Sequence, residues 1–363
     1  MLRVFEAFAG YGSQSIALRN LGIEYEVVAI SEIDKYAIKA YEAIHGPANN
    51  LGDICKINPG DIPDHDLFTY SFPCQDLSVA GKQAGLCKGT RSGLLYECEK
   101  VIEAKKPKYL LLENVKNLVG KKFKPQFEEW LSYLENLGYT NYWQVLNAKN
   151  YGVPQNRERV FVVSILGKHK PYEFPKPIPL DKCIADILED KVDEKYYINK
   201  PFYLVNKGHQ AELDIKGMDC IKRVYGIDKV APALTTMQGG LREPKILTLP
   251  CIAASRGRNP DNPSSRVAGL PTEQRLEFNT KGTSNTITTV QKDNYVVETT
   301  YRIRKLTPRE CFRLMGMRDN DIDKIQQAGI SNTQQYKMAG NSIVINVLEA
   351  IFGELFGIKK KDK

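Results

Sequence analysis

Short apolar runs rich in β-branched and aromatic residues alternate with helical patterns through the first 166 residues. No other feature limits the fold as strongly. The runs are "LRVFEAF" (2–8), "EVVAIS" (26–31), "DLFTYS" (66–71), "YLLLENV" (109–115), "YWQVLN" (142–147) and "RVFVVSIL" (159–166). Helical patterns fall near 13–21, 34–45, 92–105 and 125–137. Strands alternating with helices imply a doubly wound α/β fold with a mostly parallel sheet covered on both faces. Such sheets bind ligands outside the carboxyl ends of their strands.

From about residue 168 the texture changes. "GKHKPYEFPKPIPL" is proline-rich, and the next 130 or so residues carry turns and short extended runs with little helical periodicity. We divide the chain into a first domain at 1–170, an irregular β-rich inserted module at 171–300, and a segment at 301–363 where helical signals return. In that last segment Ile343, Val344, Val347, Leu348, Ile351, Phe352 and Leu355 form one apolar stripe. The stripe predicts a helix that packs back on the first domain. Within the module, "YLVNKGHQ" (203–210) is echoed by "CIAASRGRN" (251–259), and "ALTTMQ" (233–238) by "TITTVQ" (286–291). A duplicated β-rich unit and chance likeness between turn-rich segments both account for these echoes.

The 363 residues suffice for one large domain with a smaller one. No apolar run approaches bilayer length, and the N-terminus has no basic segment leading into an apolar core, so a cytoplasmic location is expected. Eight cysteines form no C-x-x-C pair, and with four histidines no metal site is expected. Most of the cysteines read as small buried hydrophobes. A net charge of +8 is compatible with a polyanionic partner and does not identify one.

One cysteine stands apart. In "SFPCQDLS" (71–78) Cys74 follows a proline where a strand-like run stops. Proline cannot donate to a ladder, so Cys74 falls on a turn at a strand's carboxyl end. The first turn, "FAGYGSQSIAL" (8–18), has Gly10 and Gly12 for tight turning and close backbone approach. Ser15 leaves the dinucleotide pattern G-x-G-x-x-G incomplete, which argues against a pyrophosphate cradle. Glu32, ending the second run, is placed to accept from ribose hydroxyls, and Asp53 in "LGDI" suits an adenine amine. Together these favour a nucleoside ligand without a pyrophosphate. Glu113 ends a strongly apolar run, where a carboxyl tends to hold its proton. "GVPQNRERVFVV" (152–163) offers Gln155, Arg157 and Arg159; each arginine alone also suits a surface ion pair.

In order, "FAGYGS", "SEID", "GDI", "FPCQDLS", "GTRSGLLYE", "ENV", "QNRERV", "RKLTPRECFRLMG" (304–316) and "GNSIVINV" (340–347) resemble the motifs of the DNA (cytosine-5)-methyltransferase family, bacterial and phage type. The resemblance covers about 1–166 and 301–358, with Ser13 standing where the family often has glycine. It implies an S-adenosylmethionine-dependent methyltransferase fold with an inserted target recognition domain. By the resemblance, Cys74 attacks cytosine C6, Glu113 bonds N3 and N4, and Arg157 holds O2, while Asn114, Gln155 and Arg159 shape the pocket. S-adenosylmethionine would lie among Phe8, Gly10, Gly12, Glu32, Ile33, Asp53, Ile54, Pro73, Leu95, Asn341 and Ser342, with no metal.

Double-stranded DNA is the implied partner, its target base flipped out to reach Cys74. The glycine-spaced stretch 79–93 reads as a loop closing over DNA. Gln75, Ser78 and Arg91 near the motif, and Arg256, Arg258, Asn259, Arg275 and Gln291 in the module, are candidate DNA contacts, for base edges or for phosphates. A monomer is expected, with a cognate restriction endonuclease as a possible companion. An RNA cytosine-5 methyltransferase, a catalytically silent DNA-binding protein and a nicotinamide oxidoreductase are the rival readings. Activity on transfer RNA alone, absence of methyl transfer, or nicotinamide-cofactor binding would favour each in turn.

Overall fold

The computed structural model describes residues 1–73, 92–205, 208–237, 239–248, 252–258, 271, 273–279, 294–296 and 301–358, with backbone only for 252–258, 273–279 and 294–296. Cys74, Gln75, Ser78, Arg91, Gln238, Asn259 and Gln291 lie outside the described residues, as does the segment 286–291 of the second sequence echo. The chain forms two compact units. The first comprises Met1–Lys182, Val230–Arg242 and Pro308–Lys363; the second comprises Cys183–Lys229 and Glu243–Thr307.

The first unit is built on six strands: β1 (Leu2–Ala7), β2 (Tyr25–Ser31), β3 (Leu67–Tyr70), β4 (Tyr109–Val115), β5 (Tyr139–Asn147) and β6 (Glu158–Leu166). Their order across the sheet is β2-β1-β3-β4-β6-β5. β2, β1, β3 and β4 run parallel, while β6 lies antiparallel between β4 and β5. β3 is buried at every position, which accounts for its unbroken apolar reading. Helices α1 (Ser13–Leu21), α2 (Lys35–His45), α3 (Leu95–Lys105) and α4 (Lys124–Asn136) follow β1, β2, β3 and β4 respectively. α1 is bounded by Gly12 and Gly22, both in the left-handed region that favours glycine.

Four helices close this unit: α5 (Pro308–Arg313), α6 (Asp319–Gln327), α7 (Asn332–Asn341) and α8 (Ile345–Phe356). The stretch Asn332–Phe356 is long and apolar enough to cross a bilayer by composition. A break at Ser342–Val344 divides it into α7 and α8, and Val347, Leu348, Ile351 and Phe352 are buried in the unit. α8 packs on α1, where Asn20 Nδ2 donates to Glu349 Oε1 at 2.7 Å. Each such buried side chain contributes about 1.5–3 kcal/mol, so packing rather than capping holds α8.

Beneath the first turn lies a polar group unusual for a central strand. Glu6 of β1 is wholly buried and accepts from Ser15 Oγ at 2.8 Å. Burial raises its carboxyl to about 7, with the Ser15 and Tyr41 hydroxyls only partly offsetting this. Nearby His45 is pushed down to about 4 by burial, against the pull of the Tyr11 carbonyl. The two act oppositely on stability. Between about pH 4.5 and 7 the folded state binds the Glu6 proton more tightly than the unfolded chain, so that contribution is lost as pH rises. Between about pH 4 and 6.5 the unfolded chain binds the His45 proton more tightly, so stability is gained as pH rises. Relative to wild type, Glu6→Gln should therefore gain about 3 kcal/mol across that window, and His45→Gln should lose a similar amount. Urea melts at stepped pH measure both; parallel wild-type and variant profiles would refute the assignment.

The second unit holds a mixed six-stranded sheet, in order Tyr197–Ile198, Arg302–Lys305, Lys245–Thr248, Arg223–Gly226, Ala211–Leu213 and Phe202–Leu204. A separate three-stranded sheet pairs Ile252–Arg258 with Glu273–Asn279 and Asn294–Val296. Arg256 stands directly opposite Arg275 in that ladder, and Arg258 opposite Glu273.

Candidate active site

A cavity of about 400 Å³ opens at the carboxyl ends of the parallel strands of the first unit. Phe8, Gly10, Glu32, Ile33, Asp53, Ile54, Pro73, Leu94, Glu113, Asn114, Arg157, Arg159, Lys337, Asn341 and Ser342 are among its lining residues. β2, which leads into Glu32, and β4, which carries Glu113, are separated by three strand spacings, about 14 Å.

At the β1–β2 end, Phe8 leaves β1 with φ 56° and Gly10 follows with φ 59°. A left-handed phenylalanine costs about 1–2 kcal/mol, which the surrounding bonds must hold in place. Phe8 N–H donates to Ser31 O at 2.7 Å, and Gly10 N–H to Glu32 Oε2 at 2.9 Å. The other oxygen of Glu32 accepts from the Ile33 and Asp34 amides at 2.9 and 2.8 Å. A Cβ built on Gly10 meets no atom within 4 Å, so it would stand in the cavity itself. Gly12 serves packing instead: a Cβ there would lie 2.5 Å from the His45 ring.

Asp53 Oδ1 caps the short helix that follows it through the Cys55 amide, and Ile54 is buried behind. Ile33 is 73% exposed, an apolar side chain presented at the cavity rim. Among the described residues no Lys or Arg pairs with Glu32 or Asp53. The donors and acceptors here fit a nucleoside bearing positive charge: a carboxylate for hydroxyls, an apolar plate, and open space over Gly10.

At the other end, Glu113 and Arg159 occupy diagonal positions on antiparallel β4 and β6, since Glu113 faces Phe161 and Val115 faces Arg159. Arg159 Nε lies 3.1 Å from Glu113 Oε1. Burial raises the Glu113 carboxyl above its ordinary range, while the charges of Arg159 and Arg157 pull the other way. Asn114 Nδ2 donates to Phe72 O at 3.1 Å, fixing the backbone two residues before Cys74. That is the role of the asparagine in "ENV": it holds the end of β3.

The two arginines are employed differently. Arg157 is 3% exposed and donates to Leu234 O at 3.0 Å, Gly340 O at 3.0 Å and Ser342 O at 2.8 Å. Arg159 keeps its Nε on Glu113 and one Nη on Glu158 O. Gln155 is wholly buried, and its amide is engaged by Leu314 O and the Leu234 N–H. It braces the cavity from behind and does not line it. Leu95 likewise points into the core, and its neighbour Leu94 lines the cavity.

Sequence reasoning missed three features of the cavity and its support. One is the Lys337–Asp34 ion pair at 2.6 Å, joining α7 to the cap of α2. The second is Leu94. The third is the strap Val230–Arg242, which composition placed in the inserted module and which packs with the first unit. The strap pairs Ala231 with Gln155 in parallel and brings Thr235 O against Gly340. A Cβ on Gly340 would lie 1.9 Å from that carbonyl. Gly340→Ala is therefore expected to cost about 1–3 kcal/mol of stability, read by thermal melting. An unshifted melt would mean the strap yields freely.

Residues 2–357 match the model of the C-5 cytosine-specific DNA methylase family. The chain is 39% identical to the type II methyltransferase M2.ScrFI of Lactococcus lactis subsp. cremoris, over 98% of this chain and 99% of that protein. It is 35% identical to the orphan methyltransferase M.SPBetaI of Bacillus phage SPbeta, over 98% and 97% respectively. In fold it is similar to the crystal structure of S. pombe Dnmt2 methyltransferase, with a TM-score of 0.66 at 19% identity, covering 98% of this chain and 99% of that one. Likeness that covers nearly the whole of this chain and of its relatives leads to one assignment: the chain belongs to the C-5 cytosine-specific DNA methylases and is a DNA cytosine-5-methyltransferase.

Proposed function

We propose that this enzyme moves the methyl group of S-adenosylmethionine to C5 of a cytosine turned out of double-stranded DNA, through a covalent bond from Cys74 to C6. One observation carries the reading. The lining of one cavity includes the nucleoside-fitting residues Glu32, Ile33 and Asp53 at one end and the Glu113–Arg159 pair at the other, along with Pro73, the residue before Cys74.

Glu32 would accept from ribose hydroxyls, Ile33 would cover an adenine face, and Asp53 would accept from its amine. Asn341 and Ser342 would close the same site. When bound, S-adenosylmethionine supplies an electrophilic methyl group on a positively charged sulfur. Two carboxylates with no Lys or Arg paired to them among the described residues suit that charge.

Cytosine C5 is too weak a nucleophile to take the methyl group unaided. The Cys74 thiolate forms a bond to C6, the C5–C6 π pair shifts to C4–C5, and the C4–N3 π pair moves onto N3. Glu113, whose carboxyl burial raises against the pull of Arg159 and Arg157, delivers a proton to N3 as charge arrives there. C5 then takes the methyl group with the enamine pair. A base removes the C5 proton, the C5–C6 double bond re-forms as Cys74 leaves as thiolate, and N3 returns its proton to Glu113. Arg159, oriented by Glu113, is the arginine we assign to cytosine O2, in place of Arg157, whose two Nη atoms hold three backbone carbonyls.

Sequence choice falls to the second unit, with Arg256, Arg258 and Arg275 as its candidate readers or phosphate contacts. We take the enzyme to act as a monomer in a bacterial or phage-infected cell; the type II and orphan names of the two relatives fit it with or without a restriction partner. Bisulfite sequencing of DNA from methylation-deficient cells expressing the chain tests the reading. Protected cytosines in one short context are expected. Unprotected DNA together with methylated transfer RNA would overturn the DNA assignment.

A further inference from the structure

Arg157 performs a task that the proposed chemistry does not use. Its guanidinium bonds two segments more than a hundred residues apart in sequence: Leu234 O in the strap, and Gly340 O and Ser342 O in the wall of the cavity. The junction is tight on both sides. Thr235 O rests where Gly340 would carry a Cβ, and Gln155 Oε1 takes the Leu234 N–H at 3.1 Å, so the strap is held by its backbone on two faces. Arg157 is buried, and a planar fork meeting several carbonyls loses that geometry if replaced by a lysine ammonium. No described residue of the strap lines the cavity, whereas Gly340, Asn341 and Ser342 do. Both ends of the strap continue directly into the second unit, at Lys229 and Glu243.

We propose that Arg157 is a positioning residue that locks the Val230–Arg242 strap to the Gly340–Ser342 wall, so that strap and donor end of the cavity tighten or loosen together. The inference rests on the donor reading given above. Whatever fixes the second unit on its DNA acts on the strap's two ends. The bonds of Arg157 carry that restraint to the residues that would close over the donor. A chain of bonds alone does not demonstrate coupling; a change at one end must be seen at the other.

Hydrogen exchange on the wild-type enzyme supplies that test without a variant. S-adenosylhomocysteine is added alone, and peptides covering 8–12, 230–237 and 338–345 are followed. Protection at 8–12 reports donor-site binding. Protection of 230–237, which touches no part of the cavity, by about threefold or more reports coupling through Arg157. Arg157→Lys should keep protection at 8–12 and lose it at 230–237. Wild-type protection at 8–12 with none in the strap overturns the inference and leaves the donor reading standing. Strap protection that survives Arg157→Lys also overturns it. No protection at 8–12 removes the donor reading and this inference with it. If Arg157→Lys does not fold, the wild-type result alone decides.

Discussion

The Cys74→Ser enzyme is expected to methylate DNA at least about ten-thousand-fold more slowly than wild type, because removing an attacking nucleophile removes the step that activates C5. A serine hydroxyl is not measurably ionised near neutrality, whereas a thiol with an ordinary value near 8.5 is partly thiolate and strongly nucleophilic. The loss should fall on kcat, with the donor still bound, since Cys74 is assigned to the base and not to the donor. A second reading separates chemistry from misfolding. DNA carrying 5-fluorocytosine has no proton to surrender at C5, so elimination of the thiolate is blocked after methyl transfer. Wild-type enzyme should accumulate a protein–DNA adduct that survives denaturation, and Cys74→Ser should form none. Residual activity within tenfold of wild type, or an adduct with the serine enzyme, would remove the covalent mechanism.

Glu113→Gln is expected to lower kcat by about 10²–10⁴-fold, the usual worth of a placed proton donor. The amide keeps the volume and can still meet Arg159, so the melt should change far less than the rate. The pH dependence distinguishes a proton donor from a mere brace. Burial raises the Glu113 carboxyl, so its neutral form persists to higher pH than an ordinary glutamate. The share of Glu113 with a proton to give falls as pH rises through that raised value. The share of Cys74 present as thiolate grows with pH, and the product of the two is a bell-shaped profile. In Glu113→Gln the falling limb should vanish while the rising limb remains. A falling limb that persists in the variant would assign it to another group.

Much of the first unit was legible because its residues announce their surroundings. The β1, β4 and β6 runs are apolar on both faces, and each was read to within a residue or two of its observed bounds. β5 began three residues earlier than expected, at Tyr139. As an edge strand exposed along part of its length, it mixes Thr140, Asn141 and Gln144 among its aromatics, and the pattern fades. The α8 stripe was plain, though Ile343 and Val344 precede the helix. Hydrophobicity records their burial and not the break at Ser342.

The site was legible only where spacing carries meaning. "ENV" and "QNRER" placed Glu113 and Arg159 together because adjacent antiparallel strands bring them together. Nothing in the string separates the tasks of Arg157 and Arg159: both are arginines two residues apart, and their partners at 234, 340 and 342 are backbone carbonyls, which any sequence supplies. The same holds for Glu6 and His45, whose altered acidities come from burial that no local pattern records.

The strap has a consequence for exchanging specificity between relatives. Recognition modules are tempting to transplant as one cassette, cut where the chain first leaves the catalytic unit and where it finally returns. Here that cassette, 183–307, would carry Val230–Arg242 with it and replace the partners of Gln155, Arg157 and Gly340 by foreign ones. A graft that respects this architecture has two pieces, 183–229 and 243–307, joined across thirteen host residues that stay behind. If sequence choice falls to the second unit as proposed, drift in the recognition sequence can proceed in either piece, while the span between them answers to the chemistry of its own enzyme.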